Sequence, residues 1–521
     1  MNCIQKNKRY VKQRINPPTP FFIEILFIII TTTISFHFIF QIPQPTTMTV
    51  ETSNTPPHIL IIPFPAQGHM IPLLDLTHKL ATTNKNITIT ILTTPKNQTF
   101  LTPLLNSHPS IIHPLILPFP SHPLIPPGIE NAKDLPNSVR NIMLSLSNLH
   151  HPVLEWFHSH PSPPNYIISD MFCGWTQNLA SELNIRRLVF SPSGAFAFST
   201  MCFLWKNLPI RENPVDENEV VLYHDIPNSP KYPWWQVSPL FRSYVSGDTD
   251  SEKLRDLFLC NSQSWGLIVN TFDEFEKPYL DYLKTELGHD RVWAVGSLLP
   301  VDDSSTMALQ RGGSSSVSVN DVVSWLDQRQ YKTVVYVCFG SLTILTKDQT
   351  DAIASGLFKS GVHFIWSIKE GVKTKNENEE DLDFENAVCG RGLVIRGWVP
   401  QVLILRHKAV GAFLTHCGWN SVLESVVAGV PCLAWPMTAD QFVDATLLVD
   451  ELKVAKKVCE GGQSVPDSDE LARVLAESVG GNGEEMSRAL KLKQAAVDAV
   501  REGGSSDKDL RCLIDQLVLS L

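Results

Sequence analysis

The chain has 521 residues, 43% of them hydrophobic and 18% charged, with a formal net charge of −10, as in an ordinary globular protein of two or three domains. This acidic balance argues against a nucleic-acid polymer as partner, because such a partner favours a basic face. The ten cysteines are scattered without a CxxC pair, which argues against a disulfide framework or a zinc cluster and fits a reducing compartment.

An N-terminal extension covers residues 1–47. Glu24 and His37 interrupt an apolar run over residues 21–42, and five basic residues precede it: Lys6, Lys8, Arg9, Lys12 and Arg14. The pattern is typical of a signal peptide or a signal anchor. The alternative is a non-native or dispensable extension, with Met48 as the true start.

The next segment predicts a βαβ unit with a histidine at the edge of a sheet. His58 to Phe64 is an apolar run typical of a buried parallel strand, and residues 65–69 form the turn after it. Helical spacing of apolar residues follows, and a second strand is predicted over 87–92. This arrangement places His69 at the carboxyl end of the first strand.

A second polar residue ends a strand of the same sheet. Tyr166 to Ser169 predicts a buried strand that ends at Asp170, followed by a helix near 175–183 and a strand over 187–190. Because His69 and Asp170 both follow parallel strands, we expect them to meet at one edge of the sheet. A histidine oriented by a carboxylate is a general base near neutral pH, so this pair is the catalytic hypothesis. The structural alternatives are a strand-end cap for His69 and a helix N-cap for Asp170.

Other parts of the first half give weaker signals. Residues 103–128 are rich in proline and predict a loop with short strands. Ser191 or Ser193, after the strand at 187–190, could contact a ligand. Aromatic and soft apolar side chains that could line a pocket for a flat phenol, although most such residues are core, are Phe172, Phe196, Phe198, Met201, Trp234 and Trp235.

Strand and helix patterns alternate again in the second half, with strands over 333–339, 363–368 and 393–396, a helix over 347–358 and a helical tail from about Asp467. The sequence therefore predicts an α/β protein of two Rossmann-like, doubly wound domains that face each other across a cleft. The predicted parts are an acceptor domain at 48–296, a Ser- and Gly-rich linker at 297–320, a donor domain at 321–495 and a C-terminal helix at 496–521 that packs back on the first domain.

Residues 398–441 predict a small-molecule site. A strand over 409–415 leads through a turn at 416–421 into a helix that Gly429 ends, and a second strand follows. The helix N-terminus favours an anion such as a diphosphate. Glu424 could accept hydrogen bonds from ribose hydroxyls, Asp440 and Gln441 suit a polyhydroxyl ligand, and Trp398 offers a flat face to a base. Each residue alone is more often structural; their joint spacing favours a function.

This stretch resembles the nucleotide-sugar-binding box of plant secondary-product glycosyltransferases, the family 1 glycosyltransferases, in its tryptophans, its Pro-Gln pair, its His-Cys-Gly-Trp-Asn-Ser run, its glutamate and its closing glutamine. The resemblance implies the fold called GT-B. It also implies roles: Trp398, Val399 and Gln401 for uracil, Glu424 for ribose, Ser341, His416, Asn420 and Ser421 for the diphosphate, and Trp419, Asp440 and Gln441 for the sugar. Gly418 is a further expected donor-binding residue. Asp440 stands where the family often has Glu, and Asp444 stands where Asn is common.

The resemblance also assigns the catalytic base to the histidine of a Gly-His turn, here His69, and its partner to Asp170. Phe172, Phe196 and Ala439 are the expected acceptor contacts. The implied reaction is one inverting displacement on a UDP-sugar, which is a co-substrate, with neither a metal nor another cofactor. Gln441 favours UDP-glucose, with UDP-rhamnose and UDP-xylose as alternatives.

The segment over 450–461 is most similar to the branch that contains flavonol 7-O-glycosyltransferases and hydroxybenzoate glycosyltransferases, so the expected acceptor is a flavonoid or simple phenol. Chains of this family begin about as far before their first strand as Met48 does, which favours a non-native or dispensable extension. We then expect a cytoplasmic monomer that binds no nucleic acid. The rivals are a catalytically silent nucleotide-sugar-binding protein and a membrane-anchored lumenal transferase.

Overall fold

The computed structural model describes residues 56–135, 138–299, 316–369, 388 and 390–519. The N-terminal extension, most of the predicted linker and residues 371–387, a stretch rich in charged residues, lie outside the described residues. None of the helices in these ranges is long and apolar enough to span a membrane.

The first half is built on a seven-stranded parallel sheet in the order β3-β2-β1-β4-β5-β8-β9. Its central strands are continuous apolar runs because helices cover both faces of the sheet. A separate antiparallel pair joins β6 to β7. The strands are β1 His58–Ile62, β2 Thr88–Thr93, β3 Ile112–Ile116, β4 Tyr166–Asp170, β5 Arg186–Ser191, β6 Val220–Leu222, β7 Lys231–Pro233, β8 Gly266–Val269 and β9 Val292–Ala294.

Among the described residues, α-helices connect these strands. They are α1 Gln67–Thr83, α2 Thr102–Ser107, α3 Val139–Leu146, α4 His150–Ser159, α5 Thr176–Glu182, α6 Ala195–Asn207, α7 Pro239–Arg242, α8 Thr249–Ser262 and α9 Asp273–Leu287. Helix α2 lies where only a loop with short strands is predicted. Pro103 is the residue that could have indicated this helix in the sequence, because proline is favoured in the first turn of a helix, where no backbone N–H is needed.

The second half is built on a six-stranded parallel sheet in the order β12-β11-β10-β13-β14-β15. Its strands are β10 Val334–Cys338, β11 His363–Ile368, β12 Gly392–Arg396, β13 Val410–Thr415, β14 Cys432–Ala434 and β15 Ala455–Lys457. Its helices are α10 Val319–Asp327, α11 Lys347–Ser360, α12 Gln401–Arg406, α13 Trp419–Ala428, α14 Gln441–Thr446 and α15 Ser468–Glu477.

Two further helices, α16 Glu484–Val500 and α17 Ser505–Leu519, return the chain to the first half. Helix α16 continues through residue 496, where the sequence predicts a boundary. On α17, Leu513 and Leu517 are buried in the same apolar core as Ile59 of β1 and Trp293 of β9. The C-terminal helix therefore contributes to the core of the first sheet.

The order of strands reverses once in each sheet, and both reversals define a place for a ligand. In the first sheet the reversal lies between β1 and β4, and in the second it lies between β10 and β13. Open α/β sheets bind ligands beyond the carboxyl ends of the strands at such a point. His69 and Asp170 follow β1 and β4, while Ser341 and the turn at 416–421 follow β10 and β13.

Candidate active site

A cleft of about 1820 Å³ lies between the carboxyl edges of the two sheets. Residues of both halves line it, including His69 and Phe172 from the first half and Ser341, Trp398 and Asp440 from the second. The predicted donor residues therefore face the predicted base across one space.

His69 and Asp170 are in contact, as their positions after neighbouring strands predict. The Nδ1 atom of His69 lies 2.9 Å from Oδ2 and 3.1 Å from Oδ1 of Asp170. The carboxylate is fully buried and the histidine side chain is 19% exposed. This contact directs Nδ1 toward the carboxylate and leaves Nε2 as the nitrogen that can accept a proton from a ligand.

The helix that carries His69 begins earlier than predicted. His69 lies in the first turn of α1, which begins at Gln67, rather than in a preceding loop. Pro72 lies inside this helix and has no N–H to donate to the carbonyl of Gly68 four residues earlier. The Nδ2 atom of Asn420, from the donor box, donates to that carbonyl over 2.8 Å. The turn that bears the histidine is therefore hydrogen-bonded directly to the other half.

The expected acceptor contacts divide into two groups. Phe172 lines the cleft with its ring centroid 4.5 Å from that of His69, and Ala439 lines it with a backbone φ of 57°. Phe196 was wrongly predicted to face the ligand. It is 1% exposed and stacks on Tyr279 at a centroid distance of 4.1 Å, because α6 packs this face against α9.

The N-terminus of α13 forms the anion side of the cleft. Gly418 precedes the helix in an extended conformation, and Asn420 and Ser421 occupy its first turn. Burial lowers the pKa of His416 to about 4, so its imidazole is neutral at pH 7. A neutral imidazole N–H and the free N–H groups of a helix start can both donate to a diphosphate without a net cationic charge.

Glycines enclose the His416 ring. A Cβ atom built on Gly340 or on Gly418 would lie 2.6 Å from its Nε2 atom. The ring is thus held between two backbone segments that tolerate no side chain, and Ser341 follows directly on one of them.

Gln401 and Glu424 contact each other at the other end of the donor box. Gln401 donates from Nε2 to Glu424 over 2.6 Å and to Ser421 over 3.0 Å, and it accepts from the Tyr336 hydroxyl over 2.9 Å. Trp398 and Val399, just before α12, also line the cleft. The side chains predicted to bind uracil and ribose are therefore already oriented relative to each other.

The predicted sugar residues have three different surroundings. Asp440 accepts a hydrogen bond from the hydroxyl of Ser193, in the first half, over 2.5 Å. The side-chain oxygen of Gln441 accepts from the backbone N–H groups of Met437 and Thr438 over 3.0 and 3.1 Å. Of the two serines considered after β5, Ser193 lines the cleft, while Ser191 is fully buried.

Trp419 connects the halves. Its indole is 4% exposed, donates to the backbone carbonyl of Asn270 over 2.8 Å and stacks on Phe275 at a centroid distance of 5.3 Å. The sequence alone did not single out Asn270 or Glu276, which hold this region from the first half. Glu276 accepts from the first two N–H groups of α6, and burial raises the pKa of its carboxyl to about 7.

Among the described residues, no group of three or more His, Cys, Asp or Glu is arranged to hold a metal ion. The expectation that the reaction needs no metal stays a prediction.

Comparison with known proteins places the chain among sugar-transfer enzymes. Residues 319–457 match the family described as UDP-glucoronosyl and UDP-glucosyl transferase. Over 477 residues the chain is 55% identical to the flavonol 3-O-glucosyltransferase UGT89B1 of Arabidopsis thaliana, covering 90% of this chain and 99% of that protein. It is 53% identical to the UDP-glycosyltransferase 89B2 of Stevia rebaudiana, covering 91% of this chain and 100% of that protein.

A solved structure has the same fold. The crystal structure of Arabidopsis thaliana UGT89C1 complexed with UDP-L-rhamnose superposes with a TM-score of 0.73 at 39% identity and covers 89% of this chain and 99% of that one. The predicted α/β class and the GT-B arrangement of two parallel sheets are therefore confirmed.

Proposed function

The chain belongs to the plant family 1 UDP-glycosyltransferases, and we propose that it transfers a sugar, with inversion, from a UDP-sugar to a hydroxyl of a flavonoid. The observation that carries this proposal is the contact of the buried Asp170 with His69, which lines the same cleft as the donor box. A general base thereby faces the groups suited to a nucleotide sugar.

The proposed step is a single displacement. Nε2 of His69 takes the proton of the acceptor hydroxyl while that oxygen attacks the anomeric carbon. The bond between the anomeric carbon and the β-phosphate oxygen breaks, and UDP leaves with the electron pair. Asp170 stabilises the imidazolium that forms. Backbone N–H groups at the start of α13, with the neutral His416 and Ser341, offset the charge that develops on the diphosphate.

For the acceptor we propose a flavonol or a related flat phenol. Phe172 packs against the His69 ring and offers an apolar face beside the base. The 55% identical relative is named for a flavonol acceptor, which supports the same class here. A flat ring against Phe172 would bring one hydroxyl to His69.

For the donor we propose UDP-glucose, with UDP-rhamnose as the second candidate. Gln441 closes the donor box, and the 55% identical relative is named a glucosyltransferase. The structure at 39% identity was solved with UDP-L-rhamnose, and this observation supports UDP-rhamnose as the second candidate.

The test measures transfer from UDP-glucose, UDP-rhamnose and UDP-xylose to flavonols, salicylate and dihydroxybenzoates, with and without EDTA. Wild-type protein should glucosylate a flavonol equally well with EDTA, and His69→Ala should lose transfer while still binding UDP. Unchanged transfer by the variant would refute His69 as the base. UDP binding without transfer to any acceptor would favour the silent binding protein, although that alternative predicts a damaged base and both members of the pair are present.

A further inference from the structure

Glu276 is a fully buried acid on α9 that the proposed reaction does not use. Both oxygens of its carboxyl group accept a backbone N–H at the start of α6. Oε2 accepts from Ala195 over 2.9 Å, and Oε1 accepts from Phe196 over 2.8 Å. The first N–H groups of a helix have no partner within that helix, so Glu276 caps α6 from a distant part of the chain.

Gly194, the residue before α6, explains why the cap comes from another helix. It has no side chain that could cap α6 itself. A Cβ atom built on Gly194 would lie 2.6 Å from Oε1 of Glu276 and 2.6 Å from Cη2 of Trp419. Trp419 belongs to the donor half, so the Glu276 carboxyl group and a residue of the other half pack against the same short stretch of backbone.

The capped segment carries residues of both predicted substrate sites. Ser193 directly precedes Gly194 and donates to Asp440, a predicted sugar residue, over 2.5 Å. On the other side of the cap, α6 lines the cleft with Met201 and Leu204. A shift of the start of α6 would therefore move the contact with Asp440 and this wall of the cleft together.

We propose that Glu276 is a positioning residue for sugar transfer, which holds the start of α6 in the place where Ser193 reaches Asp440. The inference rests on the proposed function of the cleft. Because Glu276 is fully buried, it acts through the backbone that it caps. A glutamine would fit the same space but offers one acceptor oxygen, and its NH2 group would face a backbone N–H. The start of α6 would then lose one of its two capping hydrogen bonds.

The first experiment compares wild type with Glu276→Gln. Calorimetry gives the ratio of the Kd for UDP-glucose to the Kd for UDP, which isolates the contribution of the sugar, and UDP-rhamnose is titrated in parallel. Glu276→Gln should raise this ratio and the KM for the acceptor about fivefold each, as expected for the loss of one capping hydrogen bond, while the Kd for UDP stays within about twofold. A variant that was only less stable would have a smaller active fraction, which changes neither the ratio nor KM.

Two further variants test whether Glu276 acts through Ser193. Ser193→Ala alone should raise the ratio, and addition of Glu276→Gln should raise it no further, because both changes disrupt the same contact with Asp440. Glu274→Gln is the matched control, because it makes the same change two residues earlier on α9. The exposed Glu274 carboxylate accepts from the Ser505 hydroxyl over 3.2 Å, and its replacement should leave the ratio and KM at their wild-type values.

An unchanged ratio and KM in Glu276→Gln that still binds UDP would overturn the proposal, as would an equal effect in Glu274→Gln or additive effects in the double variant. If Glu276→Gln does not fold, Ser193→Ala decides. A raised ratio in that variant would support the proposal, whereas a wild-type ratio would show that the contact with Asp440 contributes nothing and would contradict it. The ratio is measured without an acceptor, so a lack of transfer by wild type would refute the proposed function and leave this inference separately testable.

Discussion

Asp170 illustrates how much one residue depends on its neighbours. Its position after an apolar strand predicts an edge location, and the structure adds full burial, a contact with Nδ1 of His69 and a hydrogen bond from the backbone N–H of Phe172 over 2.8 Å. The carboxylate thereby orients both the base and the ring that packs on it.

We expect Asp170→Asn to lower kcat by about 10²- to 10⁴-fold, because an amide neither stabilises the imidazolium nor selects the reactive tautomer. UDP affinity, measured by calorimetry, should stay within a factor of two or so, since Asp170 belongs to the other half of the cleft. Asp134→Asn removes an exposed carboxylate that also lines the cleft and serves as the control. Equal loss in both variants would mean that the cleft responds to net charge rather than to this contact.

Asp444 is a second buried carboxyl, at a position where the family commonly has Asn. It is 1% exposed, and its Oδ2 atom has no hydrogen-bond partner among the described residues. Burial, followed by the charges of Asp440 and Glu276, raises its pKa well above the ordinary value. The folded protein therefore retains a proton that the unfolded chain loses above about pH 4, and the contribution of this group to stability falls as pH rises from there through its folded pKa.

Asp444→Asn should accordingly stabilise the protein by about 1 to 3 kcal/mol at pH 8, because the amide removes the cost of a buried ionisable group. The gain should be small below about pH 3, where the wild-type carboxyl is protonated in both the folded and the unfolded state. Thermal unfolding across this pH range measures the difference. Asp450→Asn alters an exposed carboxyl of the next turn and should have little effect at any pH. A gain that does not depend on pH would contradict the assignment.

At the residue scale, specific spacing predicted which residues line the cleft better than residue type did, while the roles of the donor residues stay predictions. The donor box carries polar residues at fixed separations that have few structural explanations. Phe196 and Phe172 look alike in sequence, yet one packs on Tyr279 inside the protein and the other lines the cleft. Which face of α6 is buried depends on α9, far away in the chain.

At the scale of elements, the start of α13 is the feature that best combines sequence and structure. A strand, a turn with Gly418 and a helix are predicted, and the structure confirms all three. Only the structure shows that glycine is required because the His416 ring occupies the space where a side chain would lie.

Gly418→Ala should weaken UDP binding about tenfold or more, because the new Cβ would lie 2.6 Å from Nε2 of His416 and displace the ring from the anion side. Calorimetric titration with UDP measures the loss. Gly483→Ala is the matched control, since its Cβ would meet only the end of the flexible Glu485 side chain at 3.3 Å, before α16. Wild-type UDP affinity in Gly418→Ala would exclude His416 from the donor site.

At the scale of the whole molecule, hydrogen bonds join the halves at the point where the reaction is proposed to occur. Asn420 binds the Gly68 carbonyl, Trp419 binds the Asn270 carbonyl, and Ser193 binds Asp440. The first contact depends on a proline inside α1, because a residue with an N–H at position 72 would compete for the same carbonyl.

Pro72→Ala should therefore raise the stability of α1 by up to about 3 kcal/mol while it lowers kcat/KM several-fold, because the restored helical hydrogen bond competes with Asn420. Thermal unfolding and steady-state rates measure the two opposite effects. Pro278→Ala, inside α9 and away from the cleft, should change stability without lowering the rate. A parallel change in rate for both variants would show that the Asn420 contact has no part in transfer.

The sequence by itself determined the α/β class, the two parallel sheets and the strand-end positions of His69, Asp170 and the donor box. These features depend on local apolar periodicity and on short motifs with fixed spacing. The tertiary structure alone decided which aromatic residues face the cleft and which contacts surround Gly418 and Pro72. Those properties arise from contacts between segments far apart in the chain, for which no local pattern exists.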